Sequence, residues 1–268
     1  EDGIRDFCLS RGLGDVYKRQ VMYHCIKYFE MKNLEVVVSP ALLPFYHVKN
    51  KTVVIIDILR ATSSMCVAFK IGVEKILTLS SAEECKLFKE FDFIIAAEKD
   101  AIKVEGFDLG NSPFEFENPL LAGKNIALAT TNGTKAIKYA NENGASSIVI
   151  GSFLNIDVLC NWLIEQNNDV ILLCAGWKNK FNIEDTLFAG AVVNIIESNF
   201  NVDCDSALAA KLLYISNKNN LENLVRASSH AKRFQLQSFQ TDDVKYCLQK
   251  NTAPVLPILE GNYFKKLI

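Results

Sequence analysis

Two strand-to-helix junctions carry the residue types that bind small anions. The first runs Asp57-Ile-Leu-Arg60-Ala-Thr62-Ser63-Ser64, after the β-branched stretch that starts at Thr52. The second runs Thr130-Thr131-Asn132-Gly133-Thr134, after Lys124-Asn-Ile-Ala-Leu-Ala. An offset of seventy-two positions relates them without gaps: Arg60 falls on Asn132, Thr62 on Thr134, Gly72 on Gly144, Ile76 on Ile148 and Ser80 on Ser152. A helix N-terminus offers unpaired N–H groups and a partial positive charge. Arg60 adds a guanidinium that can grip phosphate, sulfonate or carboxylate through two parallel bonds. Its alternative is a surface arginine or a partner of Asp57; the anion role is preferred because the hydroxyls of Thr62, Ser63 and Ser64 follow directly. Thr130, Thr131, Asn132 and Thr134 add donors, or cap the helix.

The acids Asp57, Glu98, Asp108, Glu184 and Asp185 are hard oxygen ligands. Mg²⁺ takes one or two carboxylates together with water and substrate phosphate. Asp57 ends a hydrophobic strand, where an unpaired charge is costly, so a metal or Arg60 is expected beside it. Glu184 and Asp185 suit a metal or the first turn of a helix equally well. His230, in Ser228-Ser-His-Ala-Lys-Arg233, is either a general acid for a leaving alkoxide or a structural histidine. Cys174 is either a nucleophile or, better, a small residue lining the cleft. The Walker pattern and GxGxxG are absent. Asp57 has no second acid two residues on, and Cys174 is followed at the sixth position by Lys180 rather than arginine.

The 268 residues suggest one large domain or two closely packed α/β halves. The net charge of −2 gives no general attraction to nucleic acid or to an anionic membrane. Eight cysteines occur without a CxxC pair and mostly inside apolar segments, which reads as buried thiols in a reducing, cytoplasmic setting. No apolar run is long enough to span a membrane. Residues 1–30 lack a clear period; the natural start is expected at Met31 or Met22, with the preceding segment an artefact or a flexible arm and without function.

Strands are expected over 34–39, 52–57, 75–79, 93–97, 124–130, 147–150 and 169–173, and helices over 62–71, 82–89, 157–165 and 184–197. The last third reads as mostly helical, with Pro254 and Pro257 in an extended tail. This alternation predicts a layered α/β/α fold with a mostly parallel sheet. In such a sheet ligands sit beyond the carboxyl ends of the strands. The rule brings Asp57 to Ser63, Glu98, Asn111, Ser112, Thr130 to Thr134, Ser152, Cys174 to Gly176, Glu184 and Asp185 to one cleft. Apolar C-terminal helices allow a homodimer.

Six ordered motifs resemble the 2-phosphosulfolactate phosphatase family: Val54-Ile-Ile-Asp57-Ile-Leu-Arg60-Ala-Thr-Ser63, Gly106-Phe-Asp-Leu-Gly-Asn-Ser-Pro113, Thr130-Thr-Asn-Gly-Thr134, Gly151-Ser-Phe-Leu-Asn155, Cys174-Ala-Gly176 and Glu184-Asp185. Ser229-His230 with Arg233, and Asp243-Val-Lys-Tyr-Cys247, also resemble its C-terminal motif. Ala231 stands where the family has glycine, and Ala97-Glu98 replaces Gly-Glu. The resemblance implies an α/β, Mg²⁺-dependent phosphatase that hydrolyses 2-phospho-3-sulfolactate, or a related 2-phospho acid, on the way to coenzyme M. Asp57, Arg60, Glu184, Asp185 and His230 would then be catalytic. Asp57, Glu98, Glu184 and Asp185 would hold the metal. Thr62, Ser63, Asn111, Ser112, Thr130, Thr131, Asn132, Gly133, Thr134, Ser152, Asn155, Cys174 and Gly176 would meet the substrate. The alternatives are a hydrolase or transferase acting on another phosphorylated metabolite, and a small-anion binding protein.

Overall fold

The computed structural model describes residues 31–99, 102–235 and 242–268; the expectation for residues 1–30 lies outside them. Strand β2 (Thr52–Ile56) is buried along its whole length. Val53 and Ile55 enter one core while Val54 and Ile56 enter another, so the strand is covered on both faces. That is why its residues form a continuous apolar run instead of an alternating one. Helix α1 (Ala61–Ile71) follows and stops at Gly72, whose φ of 102° suits glycine and few other residues. Strand β3 (Lys75–Leu79) completes the first unit. The second unit repeats the plan with β6 (Asn125–Ala129), α4 (Thr131–Glu142) and β7 (Ser147–Gly151). Here Gly144, the repeat counterpart of Gly72, takes a φ of 77°.

The two units exchange partners. β2 pairs in parallel with β7, and β3 pairs in parallel with β6. Each unit therefore contributes its first strand to the second strand of the other. The remaining strands are β1 (Lys32–Val37), β4 (Phe93–Lys99), β5 (Ile102–Lys103), β8 (Val170–Cys174), β9 (Phe200–Asn201), β10 (Pro257–Glu260) and β11 (Tyr263–Lys266). All join one eleven-stranded sheet of order β5-β4-β6-β3-β11-β10-β7-β2-β8-β1-β9. Between the two parallel groups lies the hairpin β10–β11, antiparallel to β7 on one side and to β3 on the other. Its turn is Gly261-Asn262, with Gly261 at φ 62°. Glycine at the first central position of a two-residue loop is a hairpin signal.

This arrangement corrects two expectations. The segment after Pro257 is paired strand at the centre of the sheet and not an extended tail. The sheet is mostly parallel, but the group β3, β4 and β6 runs against the group β7, β2, β8, β1 and β9. The carboxyl ends of the two groups therefore point in opposite directions, so a single parallel edge does not by itself explain which loops meet.

Helices cover both faces. Against Leu34, Val36, Val54 and Ile56 pack α5 (Ile156–Gln166), α6 (Ile183–Ile196) and α7 (Asp205–Asn217); against Val53 and Ile55 pack α1 and α4. The α6–α7 contact is close because Gly190 has no side chain: a Cβ there would lie 2.0 Å from the Ala210 carbonyl oxygen. Gly190→Ala is expected to push the helices apart and to destabilise the protein by about 3 kcal/mol, readable as a lower unfolding midpoint in urea. An unchanged midpoint would contradict this packing. Among the described residues no helix is long and apolar enough to cross a membrane.

Candidate active site

Asp57 follows β2 directly, with no intervening turn. Burial is the main influence on its carboxyl group; the neighbouring charges of Glu98 and Glu184 add to it, while His230 and the Ala61 amide oppose it. The balance lifts its pKa from the ordinary 3.8 to about 6. Glu184 and Asp185 open α6, and their roles separate. Asp185 accepts the Ile58 amide at 2.9 Å on one oxygen and the Gly176 amide at 3.0 Å on the other. It ties the loop after β2 to the loop after β8. Burial, then the charges of Asp57 and Glu184, raise its pKa well above the ordinary carboxylate range. Among the described residues Glu184 accepts no backbone amide. Its Oε1 lies 2.6 Å from His230 Nδ1, on helix α9 (Ser229–Gln235), and its buried Oε2 has no hydrogen-bond partner among the described residues.

Arg60 sits at the N-terminal boundary of α1 and is buried. Its guanidinium does not face an open anion pocket. Nη1 donates to Asp243 Oδ2 at 2.5 Å, and Nη2 donates to Glu98 Oε2. Burial pulls its pKa down, but Glu98 and Asp243 outweigh that and hold it above the ordinary value. Asp243 opens helix α10 (Asp243–Cys247), and its other oxygen accepts the Ser112 hydroxyl at 2.6 Å. Glu98 lies inside β4, opposite Lys103 of β5, and not after the strand. It reaches Arg60 although β4 belongs to the opposing group.

Other candidates turn inward. Thr62 Oγ1 donates to the Asp57 carbonyl at 2.9 Å and accepts its amide at 3.1 Å, which fixes the turn. Ser63 Oγ donates to the Ile58 carbonyl at 2.9 Å and lies 3.0 Å from Ser152 Oγ. Asn155 links the Ser152 amide, the Ile150 carbonyl and the Val255 carbonyl. Cys174 is buried in β8, and burial followed by the charge of Asp185 pushes its thiol well up, away from thiolate chemistry. The Asn111 carbonyl accepts the Ser64 hydroxyl at 2.8 Å, and its buried Oδ1 has no partner among the described residues.

The second junction lies beside Glu98, since Ala129 of β6 is in register with Ala97 of β4, but its polar groups turn to the backbone. The Thr130 amide and the Thr134 hydroxyl both donate to the Leu79 carbonyl, each at 3.0 Å. An added Cβ on Gly133 would be 3.6 Å from Thr130 Oγ1, so this glycine is not forced by crowding. The side chains of Thr131 and Asn132 are outside what the structure describes. Among the described residues no hydrogen bond or ion pair joins Thr130 or Thr134 to the Arg60 cluster. What the structure does bring together is Asp57, Arg60, Glu98, Ser112, Glu184, Asp185, His230 and Asp243. Asp243 was absent from the sequence-derived site; its signal was the motif around Cys247, which carried no spacing rule linking it to Arg60.

A family model described as 2-phosphosulpholactate phosphatase matches residues 37–262. The chain belongs to this family. A curated relative from Thermotoga petrophila, named a probable 2-phosphosulfolactate phosphatase, is 36% identical over 85% of this chain and 97% of its own length. Relatives with the same name from Caldanaerobacter subterraneus and Clostridium botulinum are 35% and 31% identical, over 80% and 87% of this chain and 89% and 99% of their own. Family members are thus similar along the stretch that holds every residue of the cluster.

The donor set can be tested against the divalent cation that the family resemblance implies. Among the described residues no group of three or more His, Cys, Asp or Glu is placed to hold a metal by protein ligands alone. The unpartnered Glu184 Oε2 and the crowded Asp57 carboxyl, however, fit Mg²⁺, which needs only one or two protein carboxylates. Asp185 has both oxygens committed to amides, and Glu98 has one committed to Arg60.

The raised Asp57 pKa gives a sign for stability. The folded group keeps its proton up to about pH 6, whereas the unfolded group releases it near 3.8. Between those values the folded state binds more protons, so stability falls as pH rises, and above about pH 6 the loss is complete. The loss amounts to roughly 3 kcal/mol. The unfolding temperature of the metal-free protein, relative to Asp57→Asn, is therefore expected to drop across this interval. Added Mg²⁺ is expected to restore it above pH 6 in the parent and not in the variant. A pH-independent difference would remove Asp57 from the crowded centre.

Proposed function

We propose that the protein is a Mg²⁺-assisted phosphomonoesterase that hydrolyses 2-phospho-3-sulfolactate to 3-sulfolactate and inorganic phosphate. The single observation that carries the chemistry is the His230–Glu184 pair beside the buried Asp57. Family membership and the names of the relatives support the substrate. Asp57 and Glu184 would hold the cation, which when bound supplies positive charge against the phosphoryl oxygens.

In the reaction a water oxygen bonds to phosphorus while the bond from phosphorus to the C2 oxygen of the substrate breaks. The departing alkoxide needs a proton. His230 gives it from the ring, whose orientation Glu184 sets through Nδ1. The Ile58 and Gly176 amides are held in place by Asp185, which keeps the loops after β2 and β8 at fixed separation. Arg60 supplies the fork for the phosphoryl oxygens, balanced by its carboxylate neighbours. The site holds more carboxyl groups than cations: Glu98 and Asp243 face Arg60, while Asp57, Glu184 and Asp185 cluster beside His230. A polyanionic substrate would be repelled without added positive charge, which is the electrostatic case for a cation.

The test is a kinetic panel with phosphate release followed by ³¹P NMR. 2-Phospho-3-sulfolactate, 2-phosphoglycerate, 2-phospholactate and a nucleoside monophosphate are compared with and without Mg²⁺. The sulfonated ester is expected to lead by at least ~10-fold in kcat/KM, because a buried site built for a polar group rejects analogues lacking it. Binding of the esters with no phosphate released would establish an anion-binding protein instead.

A further inference from the structure

We infer that Arg60 holds its two carboxylates unequally: Asp243 is a fixed positioning residue, and Glu98 is an exchangeable counter-ion whose place on the guanidinium the substrate's phosphoryl group takes. This rests on the phosphatase reading above.

A guanidinium presents planar donors in a fork that matches two oxygens of one phosphate. In this fold both outer nitrogens are already engaged, Nη1 with Asp243 and Nη2 with Glu98. Two carboxylates on one cation leave no net attraction for an anion. Phosphate recognition by Arg60 therefore requires one carboxylate to leave, and the surroundings decide which. The Asp243 side chain is 6% exposed and the Glu98 side chain 30%. Asp243 is held a second time by the Ser112 hydroxyl, at 2.6 Å. Its short helix is anchored by Val244 and Cys247 in the cores and by the Tyr246 hydroxyl, which donates to Glu117 at 2.6 Å. Releasing Asp243 would break a buried ion pair in a carboxylate that the fold already holds in place, which is strongly unfavourable.

Glu98 is differently placed. Among the described residues the Arg60 guanidinium is the one hydrogen-bond partner of its side chain. Its strand neighbour β5 is a two-residue edge strand with both residues exposed. A partly exposed carboxylate can swing into water at little cost, since such pairs contribute about 1 kcal/mol or less. Glu98 then occupies, in the resting protein, the position an anionic ligand needs. The asymmetry also separates the two acids by kinetic effect. Asp243 sets where the guanidinium points, whereas Glu98 competes with the ligand for it.

The experiment measures inorganic phosphate binding by calorimetry and by competitive inhibition of 2-phospho-3-sulfolactate hydrolysis, using the full chain with Mg²⁺. Glu98→Gln is expected to bind phosphate roughly 5-fold more tightly and to lower KM by a similar factor, the equivalent of one partly exposed ion pair. That gain is expected to vanish on an Arg60→Ala background, as a coupled pair requires. Asp243→Asn is expected to weaken phosphate binding by roughly 30-fold and to lower kcat as well. If Asp243→Asn fails to fold, Ser112→Ala decides: it removes the hydroxyl that holds Asp243 and is expected to weaken phosphate binding by about 3-fold. Weaker phosphate binding in Glu98→Gln, or a gain that persists without Arg60, overturns the inference while leaving the phosphatase reading intact. So does parent-like binding in both Asp243→Asn and Ser112→Ala. If the parent neither binds phosphate nor hydrolyses any ester, the reading and the inference fall together.

Discussion

Arg60→Ala is expected to lower kcat/KM for phosphate release by at least ~10³-fold and also to destabilise the fold by about 3–5 kcal/mol. The two effects arise from one geometry. The guanidinium is the charge that Glu98 and Asp243 share, and its removal takes from the buried Asp243 the cation that pairs with its Oδ2. From the motif alone, loss of Arg60 would be expected to abolish turnover and spare the fold, as for an arginine at the mouth of a pocket. Its burial between two acids changes that expectation. The check is paired: initial rates of phosphate release, and urea unfolding of the same preparations. Arg60→Lys should recover most of the stability and little of the activity, because an ammonium replaces the charge but not the fork. An alanine variant with parent-like turnover would remove Arg60 from phosphate recognition.

His230→Ala is expected to lower kcat on 2-phospho-3-sulfolactate by roughly 10²- to 10⁴-fold, the range for loss of a positioned general acid. The same variant should lose less than ~10-fold on p-nitrophenyl phosphate, whose phenolate leaves without a proton. Glu184→Gln should show the same leaving-group dependence, since Glu184 orients the imidazole through Nδ1. It should in addition need more Mg²⁺ for half-maximal rate, because Glu184 Oε2 is the buried oxygen left to a cation. Equal losses on both esters would assign His230 to structure and not to proton transfer.

The α/β class could be read directly from the chain because its cause is local. A β-branched run such as 52–56 has to be covered on both faces, and glycines at 72 and 144 stop helices at equivalent places. The duplication was also visible, but its consequence was not. Nothing within 52–79 says that β2 will pair with β7 and β3 with β6, because those partners lie in the second unit and the hairpin β10–β11 sits between the two pairs. The site shows the same division. Glu184 and Asp185 are neighbours of similar chemistry, equally suited to a metal or to a helix start. Only the fold commits Asp185 to two amides and leaves an oxygen of Glu184 open. Thr62, Ser63 and Asn155 are small polar groups beside an anion-type loop, yet each is consumed by backbone partners. Asp243 is 183 residues from Arg60, a separation no spacing pattern spans.

The hairpin has a consequence for how the chain matures. Among the described strands β10 and β11 follow all the others in chain order, yet they occupy the middle of the sheet. While the polypeptide is being synthesised, the rows ending in β7 and β3 must wait side by side with raw edges, a geometry that invites pairing with another molecule. Cutting the gene before residue 257 should therefore yield not a slightly frayed protein but insoluble material, and supplying the missing dozen residues as a peptide during refolding should rescue solubility.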